Sequence, residues 1–363
     1  MSFKTEIEAI VGDIDSPDYT TQAGLFLTEG VKFVTKALMN IPEMMERLTS
    51  TSTLNNSSPT LDTSNVLRVL SVIRNDSSRN REAIRVPASK KDDYLDTNSI
   101  YYTSKLDPKY YIENDILNVI PTPSATETAS VKKIEPDSNV AVTDISIDNL
   151  PSELERGVVL YASKELLRLF LNSKNATLVG LQLDDISAPS VISVGDISIG
   201  NLPSPPAYNK VSLTLDYTGP GSLGVDDYLT EEDVELAGIA LSKHQQALSK
   251  HSNDIQDELN EFNAQLADFQ ADVSKIVEQG GLDGQEEGLK IQNYQSQVES
   301  YAQQVNEAVQ KYQLSYQEVV QDYNWYAQQY QLCFQDLATF ISQYIPTQTQ
   351  EMSNEVAAND RSN

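Results

Sequence analysis

The sequence predicts a mainly helical α+β protein, on three observations. Apolar residues recur at alternating three- and four-residue steps through most of the last third, the period of paired helices. Short runs rich in β-branched and aromatic residues lie before it. Amphipathic helical patterns stand near the N-terminus and in the middle. We therefore expect N-terminal helices, a small antiparallel β-rich region with one central helix, and a long C-terminal coiled-coil helical hairpin.

The first zone, residues 1–60, is predicted to form short helices. Thr20 or Thr21 is a suitable N-cap for a helix that Pro42 ends, and PEMMERL adds a further turn. The expected apolar face comprises Ala23, Phe26, Gly30, Phe33, Val34, Ala37 and Leu38. The polar segment TSTSTLNNSSPTLDTS at 49–64 predicts a loop and the first domain boundary.

The second zone, residues 64–225, carries the strand patterns and one helix. The predicted strands, in an antiparallel meander, are NVLRVLSVIR, EAIRVPA, SIYYTSK, KYYIEN and DILNVIP. A helix is predicted over 150–172, with Asn149 as its cap and Pro151 in its first turn. Its apolar stripe is Leu154, Val158, Tyr161, Ala162 and Leu166. From Gly195 onward the chain has the composition of a loosely structured linker.

One octet occurs twice, as DISIDNLP at 144–151 and as DISIGNLP at 196–203. In both copies isoleucines alternate with polar residues and a proline follows, which predicts a short half-buried strand and its end. The flanking sequences differ, whereas a duplicated module would carry its flanks with it. We interpret the octet as one local folding solution used twice, with a repeated binding motif as the alternative.

The third zone, residues 231–345, is the most regular, and a flexible polar tail is expected over 346–363. Thr230 and the acids after it predict a helix start, and QGGLDGQEEG predicts the turn between two helices of about 45 to 60 residues. Such a hairpin would be a rod about 70 Å long. The candidate interface residues on its helices are Leu241, His244, Leu248, His251, Phe262, Leu266, Phe269, Tyr294, Tyr301, Tyr312, Tyr323, Tyr326 and Tyr330.

The tyrosines of the second helix leave two interpretations open. Tyrosine buries a large ring while its hydroxyl can stay in water, which suits an interface that meets solvent at its rim. The apolar seam is either sealed within one chain or also shared with neighbouring subunits. His244 and His251 lie one heptad apart; lacking a third ligand at helical spacing, they are expected to set helix register rather than to bind a metal.

Composition and motifs disfavour several classes of function. The formal charge of −27, from 53 acidic and 26 basic residues, argues against gripping nucleic acid. The basic residues of one early stretch allow a small positive patch, although a solvated β-rich surface is the simpler interpretation: Arg68, Arg74, Arg79, Arg81 and Arg85. The single cysteine, Cys333, excludes an intramolecular disulfide. No leader or apolar run of about 18 residues is present, so a soluble protein without a cleaved signal is expected.

Catalytic motifs are also missing from the sequence. TGPGSLG lacks the Lys-Ser/Thr ending of a phosphate-binding loop, and two histidines on one rod do not make a catalytic triad. The pairs Asp92-Asp93, Asp184-Asp185 and Asp226-Asp227 are expected to be solvated, or occasional cation sites, rather than acid/base dyads. We therefore expect no enzyme activity, no cofactor and no metal site.

Three segments in order resemble head-to-tail adaptor (neck or connector) proteins of tailed bacteriophages. They are FLTEGVKFVTKALMNIP, REAIRVPASKKDDYLDTNSIYYTSKLDPKYYIENDILNVIPTP and NLPSELERGVVLYASKELLRLF, within about residues 18–172. The resemblance implies a virion protein assembled in the host cytoplasm. It would form a homo-oligomeric ring, typically of twelve subunits, between the portal protein and the tail or neck proteins, with DNA as passing cargo. The Gln/Tyr-rich hairpin departs from a minimal adaptor, so the alternative is a rod-like tail-fibre or scaffold component that binds a protein partner.

Overall fold

The computed structural model describes residues 1–124, 126–192, 202–213, 234–279 and 285–344. Its helices are α1 Phe3–Val11, α2 Pro17–Leu38, α3 Pro42–Arg47, α4 Lys91–Leu95, α5 Ser152–Gly180, α6 Val234–Gln279 and α7 Gln285–Ser342, and a 3₁₀ turn covers Ala88–Lys90. Its strands are β1 Thr49–Leu54, β2 Thr60–Asp62, β3 Arg68–Asn75, β4 Asn80–Glu82, β5 Ile84–Arg85, β6 Lys109–Glu113, β7 Ile116–Ile120 and β8 Thr128–Ile134. The predicted α+β class, mainly helical with a small β region and a long C-terminal helix, is confirmed.

The chain divides into two compact units. The first comprises residues 1–166 with the chain from Leu332, and the second comprises residues 167–331. Both limits fall inside helices, α5 and α7, rather than in loops. The predicted domain limits at 225–231 and 345–346 touch residues outside the described ranges and stay predictions.

The β region of the first unit consists of two four-stranded sheets. One has the strand order β1-β8-β3-β4 and is antiparallel throughout. The other has the order β2-β7-β6-β5, in which only β5 and β6 run parallel. Both sheets contribute to one apolar core, made of Leu54, Val72, Ala83, Tyr110, Leu117, Val119, Ala129 and Val131. The two sheets therefore stabilise each other through this shared core.

Some strand predictions hold and others are wrong. The runs at 65–74, 109–114 and 115–121 form β3, β6 and β7, while in the run at 82–88 only Glu82, the last residue of β4, and the two residues of β5 lie in strands. The start of the predicted loop at 49–64 is instead β1, which pairs along its whole length with β8, a strand that was not predicted. Threonine suits a pleated, half-buried surface despite its polarity, so this segment pairs where a domain boundary was expected.

Helix α2 begins earlier than predicted and buries a rotated face. Ser16 stands at its N-cap, and the Thr20 and Thr21 hydroxyls donate to carbonyls one turn back instead of capping. The buried residues are Ala23, Leu27, Gly30, Val31, Val34, Thr35 and Leu38, whereas Phe26, Phe33 and Ala37 are half-buried. Only part of the predicted apolar face therefore forms the core contact.

The first copy of the repeated octet is not a strand, contrary to the prediction. Residues 144–151 form bends and turns in which Ile145 is 72% exposed and Ile147 is buried. Asn149 adopts a left-handed conformation, with φ 58°, three residues before α5 begins at Ser152. The Ile147 amide donates to the Glu155 side chain, 3.0 Å away, which fixes the segment to the first turn of that helix. Most of the second copy lies outside the described residues.

The first half of α5 is the central element of the first unit. The predicted stripe residues Leu154, Val158, Ala162 and Leu166 are each fully buried. Helix α2 approaches so closely that a Cβ on Gly30 would lie 3.1 Å from the Val158 carbonyl oxygen. Gly30 therefore permits this helix contact.

Among the described residues, no helix has the length and apolarity that crossing a bilayer requires.

We predict that Gly30→Ala destabilises the protein and that Gly24→Ala, on the same helix, does not. A Cβ at Gly30 would crowd backbone of a buried helix, which costs about 1 to 3 kcal/mol, whereas one at Gly24 would meet its nearest atom at an ordinary 3.5 Å. Both variants gain up to about 1 kcal/mol of helix propensity. Urea denaturation of both variants measures the difference, and equal stabilities would show that the α2–α5 contact is loose.

Candidate interaction surface

Helices α6 and α7 contact each other in antiparallel orientation within the second unit. As residue numbers rise along α6, the numbers of their partners on α7 fall. The ring contacts join His244 to Tyr323, His251 to Tyr316, Phe262 to Tyr301 and Phe269 to Tyr294, with centroids 4.4 to 5.9 Å apart. The predicted turn QGGLDGQEEG covers 279–288, of which Gln279 ends α6, residues 285–288 belong to α7, and 280–284 lie outside the described ranges.

Two seam tyrosines, Tyr294 and Tyr316, use their hydroxyls inside the chain. The Tyr316 hydroxyl donates to the Leu248 carbonyl at 2.7 Å, and the Tyr294 hydroxyl donates to the Pro203 carbonyl at 3.1 Å. Burial raises the pKa of both phenols. Each of these two tyrosines fills the seam with a ring and satisfies its own buried hydroxyl by donating to a backbone oxygen.

Both histidines lie buried between the two helices, 2% and 3% exposed. The His244 ring stacks on Tyr323, and burial lowers the pKa of His244 to about 4. The His251 Nε2 lies 3.1 Å from the Tyr312 hydroxyl, and burial lowers the pKa of His251 as well. Both imidazoles are therefore neutral at pH 7.

Residues 202–213, which form neither helix nor strand, pack on the helix pair, although a loosely structured linker was predicted there. Leu202 is buried in a cluster with residues of both helices, including Phe269 and Tyr294. The Tyr208 ring meets Phe262 edge-on at 6.0 Å. Most of the rest of the predicted linker lies outside the described residues.

The structure places the predicted interface residues in contacts inside one chain. Eleven are buried: Leu241, His244, Leu248, His251, Phe262, Phe269, Tyr294, Tyr301, Tyr312, Tyr323 and Tyr330. Leu266 and Tyr326 are half-buried, and Tyr326 packs against Phe170 of α5. Of the two interpretations left open by the sequence, the geometry favours a seam sealed within the chain, so an accessible contact surface must be sought elsewhere.

Such a surface is the 95–106 loop, which displays five large apolar side chains. They are Ile100 at 91% exposure, Leu106 at 68%, Tyr101 at 57%, Leu95 at 50% and Tyr102 at 48%. A strand was predicted at 99–105, but Asp96 and Ser99 accept local backbone hydrogen bonds that fold the segment into turns. Residues that would have alternated across a sheet instead point outward together.

The base of the loop is attached to the second sheet. Tyr94 packs against a buried cluster of Val86, Tyr111 and Ile120 on the face opposite the shared core. The Thr103 amide and hydroxyl both donate to the Tyr94 carbonyl, at 3.0 and 2.6 Å. The loop is thus closed upon itself at residues 94 and 103, with the exposed apolar side chains between and just beyond.

A buried ion-pair network holds the end of the loop. One oxygen of Glu127 accepts from Arg74 at 2.7 Å, and the other accepts from Lys105 at 2.6 Å. Arg74 and Glu127 are 1% and 3% exposed, and Arg74 also donates to the Pro121 carbonyl. The Lys105 ammonium and the Ser124 amide and hydroxyl hold the pKa of Glu127 down at about 2. The network therefore fixes the loop to β3 and to the segment before β8.

The described residues offer little catalytic chemistry. Glu8, Asp13 and Asp15 have metal-like spacing, but Lys4 already pairs with Glu8 and Asp15, so we assign no cation to them. Burial raises the pKa of the Cys333 thiol to about 12, which keeps it protonated at neutral pH. Asp92, Asp93, Asp184 and Asp185 are exposed, and Asp226 and Asp227 lie outside the described ranges.

We predict that the protein loses stability as the pH falls from about 6.5 towards 4, in part through His244. In the unfolded chain His244 has its ordinary pKa of 6.5, whereas in the folded chain its pKa is about 4. Between these values the unfolded chain binds the proton more readily, so acid favours unfolding. At about pH 5 this linkage removes about 1 to 2 kcal/mol. Urea denaturation at pH 7 and pH 5 should show a smaller pH effect for His244→Leu, and smaller still with His251→Leu added. An unchanged effect in the double variant would show that neither histidine titrates in the buried seam.

We predict that Glu127→Gln lowers the free energy of unfolding by about 3 to 5 kcal/mol, because it leaves buried Arg74 without its carboxylate. The matched control is Lys91→Met, which removes a 2.7 Å ion pair to Glu113 whose side chains are 33% and 39% exposed. The control should lose less than about 1 kcal/mol. Equal losses in urea denaturation would contradict a structural role for the network.

The comparisons with known proteins add no relative. No protein-family model matches the chain, and no curated protein is significantly similar to it. A functional proposal therefore rests on the geometry above and on the sequence resemblance.

Proposed function

We propose that the protein is a structural virion subunit of a tailed phage that assembles into a ring of identical copies. The observation that carries the proposal is the exposed 95–106 loop, with five large apolar side chains on a fixed base. A cluster of large exposed apolar side chains in one short segment is typical of a surface that contacts another protein. The contact is structural rather than enzymatic in this proposal.

The position in the particle follows from the resemblance to head-to-tail adaptors. The ring, typically of twelve copies, would connect the portal protein to tail or neck proteins, after assembly in the host cytoplasm. Helices α6 and α7 would form a coiled-coil hairpin that extends the subunit beyond a minimal adaptor. Their buried ring contacts, which run from His244 to Phe269 along α6, support that part of the proposal.

Electron microscopy of the purified full-length protein tests this function. A closed ring with a central hole is the expected result. An elongated dimer or trimer would instead support the rod-like fibre or scaffold component, and a protein that stays monomeric at its solubility limit would contradict both.

We also predict that the protein does not hold duplex DNA, as suits a channel through which DNA slides. With a charge of −27, its surface repels phosphates on average, whereas non-specific DNA binders reach dissociation constants of about 10⁻⁴ to 10⁻⁶ M. A mobility-shift assay in about 150 mM salt should show no complex at about 10⁻⁵ M protein. A complex at or below that concentration would contradict the sliding role.

A further inference from the structure

We propose that the 95–106 loop of one copy docks on the outer face of α7 of a second copy, around Leu314 and Trp325. The inference rests on the proposed assembly into identical subunits and names the two surfaces that meet. It joins an exposed apolar loop to an exposed apolar helix face. Neither surface is covered within the described residues of its own chain.

The receiving face is an apolar site on an otherwise polar helix surface. Leu314 is 68% exposed, and Trp325, the only tryptophan of the chain, is 43% exposed. Eleven residues make about three helical turns, so the two side chains share one face about 16 Å apart. Glu318 and Gln321, between them, are also exposed.

Contacts with neighbouring aromatic rings hold the Trp325 side chain in place. Its ring meets Tyr326 at 5.1 Å in an edge-on contact, and Tyr326 packs in turn on Phe170, also at 5.1 Å. A large aromatic side chain held in this way loses little conformational freedom on binding. Tryptophan and tyrosine are also the residues that most often dominate the energy of protein contacts. The loop supplies Tyr101 and Tyr102 to the same contact.

Charge identifies the second copy as the occupant. The stretch 68–109, which contains the loop, has nine basic and six acidic residues, whereas the rest of the chain has 17 basic and 47 acidic. Arg79, Arg85 and Lys90 of that stretch are exposed, and Glu307 and Glu318 are exposed on α7. Two copies, each of charge −27, repel one another unless their contact sets the basic stretch of one against an acidic surface of the other.

Such a contact is heterologous, because each copy uses a different surface towards each neighbour. Heterologous contacts propagate from copy to copy and close into a ring when the rotation allows. A contact of loop against loop would instead stop at a dimer and would bring like surfaces together.

The test uses two full-length variants that are each defective in one surface. The loop variant carries Ile100→Ser and Leu106→Ser, and the helix variant carries Leu314→Ser and Trp325→Ser. Each alone should associate at least about tenfold more weakly than wild type in sedimentation velocity. An equimolar mixture should form one-to-one dimers and nothing larger, since each variant retains the surface that the other lacks. The control Leu25→Ser, a similarly exposed leucine on α2, should assemble as wild type does.

Other outcomes separate this inference from the proposed function. If the loop variant assembles normally, the loop is not the contact. If the loop variant fails to assemble but the helix variant assembles normally, the receiving face on α7 is wrong. Neither outcome contradicts the proposed ring itself. Defective variants that do not recover as dimers when mixed would equally refute the pairing of these two surfaces. Wild-type protein that never associates would contradict both proposals. Circular dichroism of each variant shows that a loss of association is not a loss of folding.

Discussion

The carboxylate of Glu127 is the group on which the exposed loop depends. An unpaired charge in this interior would cost several kcal/mol, so Glu127 is stable there only because its two oxygens are shared among partners. One oxygen takes the Arg74 guanidinium and Ser124, and the other takes Lys105 from the end of the loop. The Arg74–Glu127 pair, which stabilises the fold, and the Lys105–Glu127 pair, which positions the loop, thus belong to one ion-pair network. The loop that carries the exposed apolar residues is thereby tied to the sheet at Lys105.

The contact between α6 and α7 is subject to a different constraint, because two long helices must be held in one register. Apolar side chains alone can slide, whereas a polar group inside a seam has few partners that satisfy it. His251 meets the Tyr312 hydroxyl at 3.1 Å, and a shift by one turn would separate these two side chains. The proposed hairpin therefore owes its length to apolar packing and its register to a few polar contacts.

Sequence patterns predicted what repeats over many residues. Helices α6 and α7 span 46 and 58 residues, so their period is unmistakable, and the stripe of α5 is equally regular. Patterns failed where partners distant in sequence decide the structure. The Thr/Ser-rich β1 is a strand because β8 lies beside it, and 99–105 is a loop because turns satisfy its backbone.

The candidate surface was missed for a related reason. Periodicity marks residues that are buried, but it does not tell whether the partner is the same chain or another, so the sequence left both interpretations of the seam open. The signal for the exposed loop was present in Asp96, Asn98 and Ser99, turn-forming residues directly before three apolar ones. The ion pair that ties the end of the loop to the sheet joins Lys105 to Glu127, residues 22 positions apart, which no local pattern reveals.

Amide hydrogen exchange, compared between the free subunit and the assembled particle, tests the central claim most directly. If the loop is the contact, exchange across residues 96–106 slows on assembly while exchange in the α6–α7 seam, already buried in the single chain, stays the same. Unchanged exchange in the loop together with slowing in the seam would contradict the account and restore the helix pair as the surface between subunits.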